Sequence, residues 1–550
     1  MSSQVSGPLF LGLDLSTQQL KAILISEDHT VVHESAVHFD NDLPSYGTTN
    51  GAIRGPGVGE VTSPVAMWLE AIDLLMDRMK KADVKLDAIS AVSGAGQQHG
   101  SVYWSNDAEA LLSSLDPAQS LVSQLSPGAF SLPQAPIWQD SSTTQECRDL
   151  EQAVGGPQVL ADITGSRAYE RFTGNQIAKI RRLHPESYNA TTRISLVSSF
   201  IPSVFLGYIA PIDTSDASGM NLMNVLTCKW DDDLLNACGG EMLRSKLGPE
   251  PVIGGTVLGK VHQWWVERWG LNPDCIVAPF TGDNPASVMA LSAPGDAILS
   301  LGTSTTFLLS IPPADTPPQR FTTSHLLSHP TDLDHTIAML CYKNGALARE
   351  QVRDHNADGH WTRFNELVEQ TPPGNDGYIG LYFPLPEIIP PGVVGQHAFH
   401  VESLDNTAPL AVKDLPEKAH PRAILESQFL SIRSRIADIL PEHAPHLKRL
   451  VATGGSSANQ TIRQLAADIF DMKVFISTTK EAAGMGGALL AKYSWWKTQH
   501  TNGRTFEDMT GGEITGLQCV AEPRGSVTGV YDTLVGVYRA CEEQVVIKCS

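Results

Sequence analysis

A strand–turn–strand pattern occurs twice in this sequence of 550 residues, and it constrains the fold more than any other feature. The first copy spans residues 9–25 and the second spans residues 297–309. In each copy two apolar runs flank a short turn of small and polar residues, which is the pattern of a β-hairpin. Either copy alone fits an ordinary hairpin. Two copies, one in each half, predict a duplicated fold.

Both turns contain groups that could hold a phosphate. The first turn contains Asp14, Ser16, Thr17 and Gln18. The second turn contains Gly302, Thr303 and Ser304, and it has no carboxylate. Hydroxyls and successive backbone N–H groups in a tight turn can form a concave anion site. The two hairpins are therefore candidate phosphate-binding elements.

The composition limits the class of protein. A chain of 550 residues is too long for one core, so two or more domains are expected. The 39 basic and 60 acidic residues give a net charge of −21, which disfavours binding to nucleic acid or to an anionic membrane. This charge does not exclude ATP, which arrives with Mg²⁺ and binds locally. The eight cysteines include no CxxC pair, which indicates reduced thiols rather than a zinc site or a disulfide framework.

The sequence contains no obvious membrane span. Its most apolar stretch, residues 197–212, is interrupted by Pro202 and Gly207 and is too short to cross a bilayer. Together with the scattered cysteines, this predicts a cytoplasmic protein with no membrane partner.

Two motifs in the first half place polar groups at the ends of predicted strands. Residues 86–93 form an apolar run that leads into Gly94–Gly100, which includes His99. A second apolar run, residues 275–280, leads into Thr281-Gly282-Asp283-Asn284. In α/β folds, ligands bind at the carboxyl ends of strands, so Asp283 is expected at the mouth of a cleft. His99 could equally be a buried histidine with a structural role.

A loop at residues 165–176 is unusually polar and aromatic, and it includes Arg171. The planar guanidinium of an arginine can donate several hydrogen bonds to a polyol. A surface ion pair is the alternative for this residue.

The second half contains a weaker nucleotide signal. Residues 449–453 read as a strand that runs into Gly454 and Gly455, with Asn459 near the start of a helix. Glycines at such a turn let a nucleotide lie on the backbone. Trp361 has helical spacing with Phe364 and Leu367, which favours core packing over contact with adenine. Two further helices are expected, an amphipathic one over 421–440 and a small-residue one over 482–491 that packs closely.

Taken together, these motifs resemble the FGGY carbohydrate kinases of the actin/hexokinase/Hsp70-type superfamily. The resemblance runs from about Leu9 to Ala491. It implies an α/β fold of two RNase H-like lobes, with the active site in the cleft between them. The N-terminal lobe would span residues 1–290 and carry the sugar site and the first hairpin. The C-terminal lobe would span residues 291–550 and carry the second hairpin and the adenosine site.

The resemblance also suggests roles for the candidate residues. Asp283 would be the general base, and Asp14 would hold Mg²⁺, largely through water. The sugar would be ringed by His99, Arg171, Asp283 and Asn284. The phosphates of ATP would lie against Ser16, Thr17, Gln18, Gly302, Thr303 and Ser304. Adenosine would border Gly454, Gly455, Asn459 and, as one of its two alternatives, Trp361.

Within the family, residues 97–100 and 166–180 look most like the eukaryotic xylulose kinases. This implies ATP-dependent phosphorylation of D-xylulose to D-xylulose 5-phosphate by a monomer or homodimer. A kinase of another ketopentose or of a polyol is the nearest alternative. An actin-like chaperone or filament protein and a non-catalytic sugar sensor are more distant alternatives. A chaperone would have no reason to place polar groups at His99 and Arg171, and a sensor would have no reason to keep both Asp14 and Asp283.

Overall fold

A computed structural model describes residues 7–311, 314–403, 408–440, 443, 446–478, 481–500, 504–512, 514 and 516–549. The chain folds into two compact units. The first unit comprises residues 1–290, 326–336 and 481–513, and the second comprises residues 291–325, 337–480 and 514–550. This grouping differs from a single division after residue 290 because two later segments pack with the first unit.

The first unit is a mixed α/β structure. Its strands are Leu9–Leu15, Gln19–Ile25, Val31–His38, Ile53–Arg54, Val61–Pro64, Ile89–Gly96, Ser101–Ser105, Phe130–Leu132, Gln134–Pro136, Thr191–Leu196, Met223–Asn224, Lys229–Trp230, Gly259–Lys260, Ile276–Val277 and Thr281–Gly282, and His325–Ser328 lies at its boundary. Its helices are Phe39–Asp42, Val65–Lys81, Ala108–Ser113, Leu121–Leu125, Thr144–Val154, Pro157–Thr164, Thr173–Leu183, Pro185–Asn189, Val197–Leu206, Thr214–Ala217, Asp232–Gly239, Leu243–Leu247, Gln263–Trp269, Asp283–Leu291, Ala482–Gln499 and Phe506–Thr510.

The second unit is also mixed α/β. Its strands are Asp296–Leu301, Thr305–Ile311, Thr336–Tyr342, Tyr378–Phe383, Gly395–His400, Leu410–Val412, Arg449–Thr453, Lys473–Ser477 and Leu517–Ala521. Its helices are Ala346–Asn356, Trp361–Gln370, His420–Ile439, Gln460–Phe470 and Gly525–Cys549.

The main sheet of the first unit is built on the first hairpin. Leu9–Leu15 pairs antiparallel with Gln19–Ile25, which pairs antiparallel with Val31–His38. On its other side Leu9–Leu15 pairs parallel with Ile89–Gly96, and Ile276–Val277 follows, also parallel. Numbered along the chain, these five strands have the spatial order 3-2-1-4-5.

The main sheet of the second unit repeats this order. Asp296–Leu301 and Thr305–Ile311 form the antiparallel hairpin, and Thr336–Tyr342 lies beyond the second of these strands. Arg449–Thr453 pairs parallel with Asp296–Leu301, and Lys473–Ser477 pairs parallel with Arg449–Thr453. The shared order 3-2-1-4-5 confirms the duplication that the two hairpin patterns predict.

The first hairpin strand is buried on both faces because its side chains alternate between two apolar layers. Its odd-numbered leucines share a buried cluster with helix Val65–Lys81. Phe10, on the other face, shares a cluster with helix Ala482–Gln499 and lies 5.3 Å from the Trp495 ring. Gly12 and Asp14 follow Phe10 at the two-residue spacing of one strand face.

Helix Ala482–Gln499 packs closely, as its small residues predict. A Cβ atom on Gly12 would lie 2.1 Å from the Gly484 carbonyl oxygen, and one on Gly487 would lie 2.5 Å from the Gly94 Cα atom. Glycine is therefore required for backbones to approach at this distance. The helix covers strand Leu9–Leu15, which carries Asp14 next to its last residue.

The helix expected over 421–440 is present as His420–Ile439, but the prediction that it is amphipathic was wrong. Most of its residues are buried, since strand Tyr378–Phe383 and helices Ala346–Asn356, Gln460–Phe470 and Gly525–Cys549 surround it. Polar side chains on this helix are paired internally, as in the ion pair of Arg422 with Glu426 at 3.1 Å.

The remaining structural expectations concern membranes and cysteines. Within the described residues, no helix is long and apolar enough to cross a membrane. The apolar stretch at 197–212 contains the buried helix Val197–Leu206. All eight cysteines are free thiols.

Candidate active site

Asp283 begins a helix directly after a strand, as the sequence predicts. Strand Thr281–Gly282 pairs with the carboxyl end of Ile89–Gly96, and helix Asp283–Leu291 follows. The Asp283 Oδ1 atom accepts a hydrogen bond of 2.9 Å from the Asn284 backbone N–H. It also accepts one of 3.3 Å from the Asn284 side chain, which donates to Gln98 Oε1 at 2.8 Å.

The carboxylate of Asp283 has the electrostatic environment of a group that exchanges protons near neutral pH. Burial raises its pKa to about 7, assisted by the negative charges of Asp14 and Asp216. Hydrogen bonds from the backbone of Asn284 and Gln98 lower it in part. A general base works best when its pKa lies near the working pH, and Asp283 meets this condition.

His99 lies at the end of the neighbouring strand in a left-handed conformation, with φ of +70°. Its Nδ1 atom lies 2.8 Å from the Gly219 carbonyl oxygen, and its ring stacks on Phe172 at 4.5 Å. Because a carbonyl only accepts, Nδ1 carries the proton. Burial and then the charge of Arg171 lower the pKa of His99 to about 3, so the ring is neutral and Nε2 is an acceptor.

Arg171 lies in the same unit, over two aromatic rings. The centre of its guanidinium lies 4.9 Å from the Tyr169 ring centroid and 5.6 Å from that of Phe172. Since His99 also stacks on Phe172, this ring connects the arginine with the histidine. Within the first unit, His99 and Arg171 thus share the Phe172 ring, and Asn284, next to Asp283, donates to Gln98, the residue before His99.

Asp14 is buried at the end of the first hairpin strand, with 4% of its surface exposed. Its Oδ2 atom accepts a hydrogen bond of 2.7 Å from Ser16 and lies 3.9 Å from Lys21 Nζ, and Lys21 also pairs with Glu481. Burial raises the pKa of Asp14. Its Oδ1 atom is buried and has no hydrogen-bond partner among the described residues.

The other residues of the first turn are more exposed. Ser16 and Thr17 are half-buried, and Gln18 is exposed. Thr17 Oγ1 accepts a hydrogen bond of 2.8 Å from the Trp138 indole and donates one of 3.4 Å to Gln97 Oε1. The hydroxyls of this turn therefore lie beside the same strand end as His99.

Sequence reasoning missed two buried carboxylates behind this site. Asp213 caps helix Thr214–Ala217 by accepting from the Asp216 N–H, and it also accepts from Thr281 Oγ1 at 2.6 Å. Ser198 Oγ donates to Asp216 Oδ2 at 2.5 Å. Burial raises the pKa of each aspartate to about 7. The sequence alone does not indicate this pair, because nothing in the residues around positions 213 and 216 distinguishes a buried carboxylate from a solvated one.

In the second unit three loops converge at the second hairpin turn. A Cβ atom on Gly454 would lie 2.7 Å from the Leu301 carbonyl carbon, and one on Gly345 would lie 2.7 Å from Thr305 N. By contrast, nothing lies within 4 Å of the Cβ position of Gly455. Thr303 and Ser304 are exposed. The turn thus keeps its hydroxyls and the Gly455 backbone accessible within this unit.

A buried arginine that the sequence did not indicate supports these loops. Arg349 is fully buried, and its guanidinium donates to Gln428 Oε1 at 2.7 Å, to Thr305 Oγ1 at 3.3 Å and to Ser456 Oγ at 3.4 Å. Gln428 in turn donates to the carbonyl oxygens of Asn344 and Gly345. Burial lowers the pKa of Arg349 to about 10.

Asn459 and Trp361 are linked through one helix. Asn459 caps helix Gln460–Phe470, and its amide donates to Asn365 Oδ1 at 2.9 Å, one turn after Trp361. Trp361 is half-buried rather than fully buried, with its ring edge-on to Phe364 at 5.2 Å. The centre of the Arg353 guanidinium lies 4.9 Å from the centroid of the Trp361 ring. Core packing therefore accounts for only part of the Trp361 ring.

Comparisons with known proteins bear on the whole chain. The N-terminal domain of the FGGY family of carbohydrate kinases matches residues 130–290, and the C-terminal domain of that family matches residues 297–495. This chain belongs to the FGGY family. The resemblance stated from the motifs is confirmed, and an FGGY kinase takes ATP as its phosphoryl donor. The first hairpin and His99 precede the matched ranges.

Relatives extend the match over nearly the full length of this FGGY chain. An Aspergillus clavatus protein named probable D-xylulose kinase A is 42% identical over 537 residues, covering 93% of this chain and 92% of its own. The Mus musculus xylulose kinase is 40% identical over 546 residues, covering 97% and 94%.

Solved structures of FGGY kinases support the fold. The xylulose kinase from Rhodospirillum rubrum has a TM-score of 0.78 at 18% identity, covering 98% of this chain and 99% of its own. The Plasmodium falciparum glycerol kinase with ADP has a TM-score of 0.75 at 14% identity, covering 98% of each chain. At these identities the likeness concerns the fold alone, and the predicted fold class is confirmed.

Proposed function

We propose that this chain transfers the γ-phosphoryl group of ATP to the 5-hydroxyl of D-xylulose, giving D-xylulose 5-phosphate and ADP. The observation that carries the transfer chemistry is the half-buried carboxylate of Asp283, which lies at a strand end beside Asn284. The choice of sugar rests on relatives named xylulose kinase that are 40–42% identical over more than nine-tenths of the chain. Neither argument depends on the other.

Asp283 is the proposed general base. The sugar oxygen forms a bond to the γ-phosphorus while the bond between that phosphorus and the bridging oxygen of ADP breaks. The hydroxyl proton passes to Asp283, whose pKa of about 7 leaves a large ionised fraction near neutral pH. Phosphoryl transfer depends mainly on position and charge, so the carboxylate also orients the hydroxyl.

The sugar is held by groups of fixed donor or acceptor character. His99 Nε2 accepts from a sugar hydroxyl because its other nitrogen donates to Gly219. Arg171 donates only, and its aromatic neighbours limit where the guanidinium can lie. A stereoisomer whose hydroxyls point elsewhere leaves such groups unpaired, at a cost of about 1–3 kcal/mol each.

The residues of the first turn fit a Mg²⁺ ion. Mg²⁺ prefers oxygen ligands, keeps several waters and is commonly held by one or two carboxylates together with substrate phosphates. Asp14 offers a buried Oδ1 atom with no hydrogen-bond partner among the described residues. No cluster of three or more histidine, cysteine or acidic residues suited to a metal occurs in the described part of the chain. When bound, the ion neutralises charge on the phosphates.

The nucleotide is assigned to both hairpin turns and to the Gly-Gly turn. Ser16, Thr17 and Gln18, and Gly302, Thr303 and Ser304, are proposed to hold the phosphates through hydroxyls and backbone N–H groups. Gly454, Gly455, Asn459 and Trp361 are proposed to border adenosine. The open Cβ position of Gly455 and the partly exposed ring of Trp361 support this part of the proposal.

The alternatives to this proposal are other classes of protein and kinases that act on another acceptor. Membership in a family of carbohydrate kinases favours a kinase over a chaperone, a filament protein or a sugar sensor. Another ketopentose or a polyol remains the main competing acceptor. The predictions of a monomer or homodimer and of a cytoplasmic location remain predictions.

A coupled ADP-release assay tests the proposal with D-xylulose, D-ribulose, L-ribulose and glycerol as acceptors. We expect D-xylulose to give the highest kcat/KM. A higher value for ribulose or glycerol would keep the kinase assignment and reject xylulose. Failure of every acceptor to stimulate ADP release would reject the kinase assignment itself.

A further inference from the structure

Asp216 is a buried carboxylate that touches the proposed sugar site only through other residues. Its side chain is 1% exposed, and its Oδ2 atom accepts from Ser198. Its Oδ1 atom is buried without a protein hydrogen bond of good geometry among the described residues. A buried acceptor without a hydrogen-bond partner costs free energy, so a neighbouring donor is expected to face Oδ1.

The side-chain amide of Gln98 is a donor that lies close to this atom. Gln98 Nε2 is also buried without a well-formed hydrogen bond within the described residues, and it lies beside Asp216. A Cβ atom on Gly282 would lie 2.7 Å from Asp216 Oδ1 and 2.8 Å from Gln98 Nε2. The absence of a side chain at Gly282 leaves the space that both atoms occupy. Burial raises the pKa of Asp216, and the Gln98 amide offsets a small part of that rise, as an N–H donor facing a carboxylate does.

From Gln98 a series of hydrogen bonds continues to the proposed base. Gln98 Oε1 accepts from Asn284 Nδ2 at 2.8 Å. The same Asn284 nitrogen lies 3.3 Å from Asp283 Oδ1, and the Asn284 backbone N–H donates to that atom at 2.9 Å. Asp216, Gln98, Asn284 and Asp283 thus form one connected group within the first unit.

The direction of these hydrogen bonds depends on Asp216. An amide can rotate to exchange its oxygen and nitrogen, and only its surroundings decide which orientation is adopted. An acceptor at Asp216 Oδ1 selects the orientation in which Gln98 Nε2 faces it. Gln98 Oε1 then faces Asn284 Nδ2, which leaves the Asn284 oxygen free to accept from a ligand. The opposite orientation would set two oxygens against each other.

We propose that Asp216 is a positioning residue that fixes the amide orientation of Gln98 and, through it, that of Asn284 beside Asp283. The inference deepens the proposed function and rests on it, because the orientation matters only if Asn284 and Asp283 bind the acceptor hydroxyls. Asp216 itself does not touch the sugar in this proposal.

Three variants distinguish this role from a structural one. Asp216→Leu removes the acceptor, and we expect the sugar KM to rise about tenfold while the ATP KM stays within about twofold. Asp216→Asn can still present an oxygen to Gln98, so its sugar KM should stay within about threefold of wild type. Asp213→Asn is the matched control, because Asp213 is equally buried but bonds Thr281 and the Asp216 N–H rather than Gln98. It should lower thermal stability without raising the sugar KM.

A double variant tests whether Asp216 acts through Gln98. Gln98→Leu should raise the sugar KM, and adding Asp216→Leu should then raise it little further, because the two residues act in series. Independent effects that multiply would overturn the proposal. So would an Asp216→Leu enzyme with the sugar KM of the wild type, or one in which the sugar KM and the ATP KM rise together.

The pH profile supplies a readout if Asp216→Leu does not fold. The charged groups that face Asp283 are Asp14 and Asp216, with N–H groups of Asn284 and Gln98 opposite. Asp216→Asn removes the carboxylate whose charge helps to raise the pKa of Asp283, so the acidic limb of kcat/KM for the sugar should move to lower pH. An unmoved limb would overturn the proposal. A wild-type enzyme with no sugar-dependent ADP release would instead reject the proposed function, whereas an active wild type with unaffected variants rejects only the inference.

Discussion

The turn of the first hairpin has a buried carboxylate, Asp14, whereas the turn of the second hairpin has none. Two further carboxylates of the first unit, those of Asp216 and Asp283, lie in surroundings where burial raises their pKa values to about 7. In the second unit the charge buried below the hairpin is positive, that of Arg349. The buried charged groups beside the two hairpin turns, Asp14 and Arg349, therefore have opposite signs. The difference suits a cation and a hydroxyl proton beside the first turn and phosphate oxygens beside the second.

Glycine also serves different purposes in the two units. In the first, Gly12 and Gly487 let a helix and a sheet approach to backbone contact. In the second, Gly454 lets two loops meet, while Gly455 has open space above it. The first use is structural, and the second leaves room for a ligand. If the two units divide the chemistry in this way, substitutions in each should affect different measured quantities.

The largest effect is expected at Asp283. Asp283→Asn should reduce kcat by about 10²–10⁴ with little change in either KM, because removal of a general base has an effect of this size. Steady-state kinetics with D-xylulose would measure it. Ser287→Ala is the control, since Ser287 lies one turn further along the helix and donates only to the Asp283 backbone carbonyl. Near-normal turnover of Asp283→Asn would show that Asp283 is not the general base.

The next effect concerns Asp14. Asp14→Ala should raise the Mg²⁺ concentration needed for half-maximal rate by more than about tenfold, because the one buried carboxylate of the turn is lost. Binding of sugar alone, measured by calorimetry, should persist. Ser16→Ala, which removes only a hydrogen bond to Asp14, should have a smaller effect. An unaltered Mg²⁺ dependence of Asp14→Ala would mean that the first turn does not face the metal.

The pH dependence should follow Asp283. A base must be ionised, and its pKa of about 7 means that kcat/KM for the sugar should fall roughly tenfold per pH unit below that value and level off above it. The raised pKa values of Asp213 and Asp216 affect the free energy of unfolding rather than the rate. The folded protein is more stable when these two buried carboxyl groups are protonated. Their contribution is therefore present below about pH 4 and is lost as the pH rises through about 7. A rate independent of pH between about 5 and 8 would contradict the assignment.

Arg349 provides the corresponding test in the second unit. Arg349→Met removes three hydrogen bonds that connect Thr305, Gln428 and Ser456, and the ATP KM should rise about tenfold or more while the sugar KM stays unchanged. Arg349→Lys keeps the charge and should recover part of the loss. A change in sugar KM instead would show that the two units do not divide the ligands as proposed.

The smallest effects separate the two kinds of glycine. Gly487→Ala sets a Cβ 2.5 Å from the Gly94 Cα atom and should lower the free energy of unfolding by about 1–3 kcal/mol with no change in ATP KM. Gly455→Ala should change the free energy of unfolding by less than about 0.5 kcal/mol and raise the ATP KM. Denaturant titration and kinetics measure both. The reverse pattern would refute the distinction.

Local patterns in the sequence were sufficient for the strand-end residues. Asp14, His99 and Asp283 each follow an apolar run, and a side chain at the end of a strand has its place fixed by that strand alone. The duplication could be predicted for the same reason, because both hairpins are contiguous in the chain. The helix over 482–491 was also predictable, since a run of small residues permits close packing wherever it lies.

The supporting residues could be found only in the tertiary structure. Asp216 meets Gln98 across a long stretch of intervening sequence, and Arg349 meets Gln428 at a separation of 79. Nothing in the sequence around either residue distinguishes a buried charge from a solvated one. The amphipathic reading of 421–440 was wrong for the same reason, because other elements cover its polar face. Contiguous patterns thus decided which residues end the strands, whereas packing between distant segments decided which charges are buried and which partners orient them.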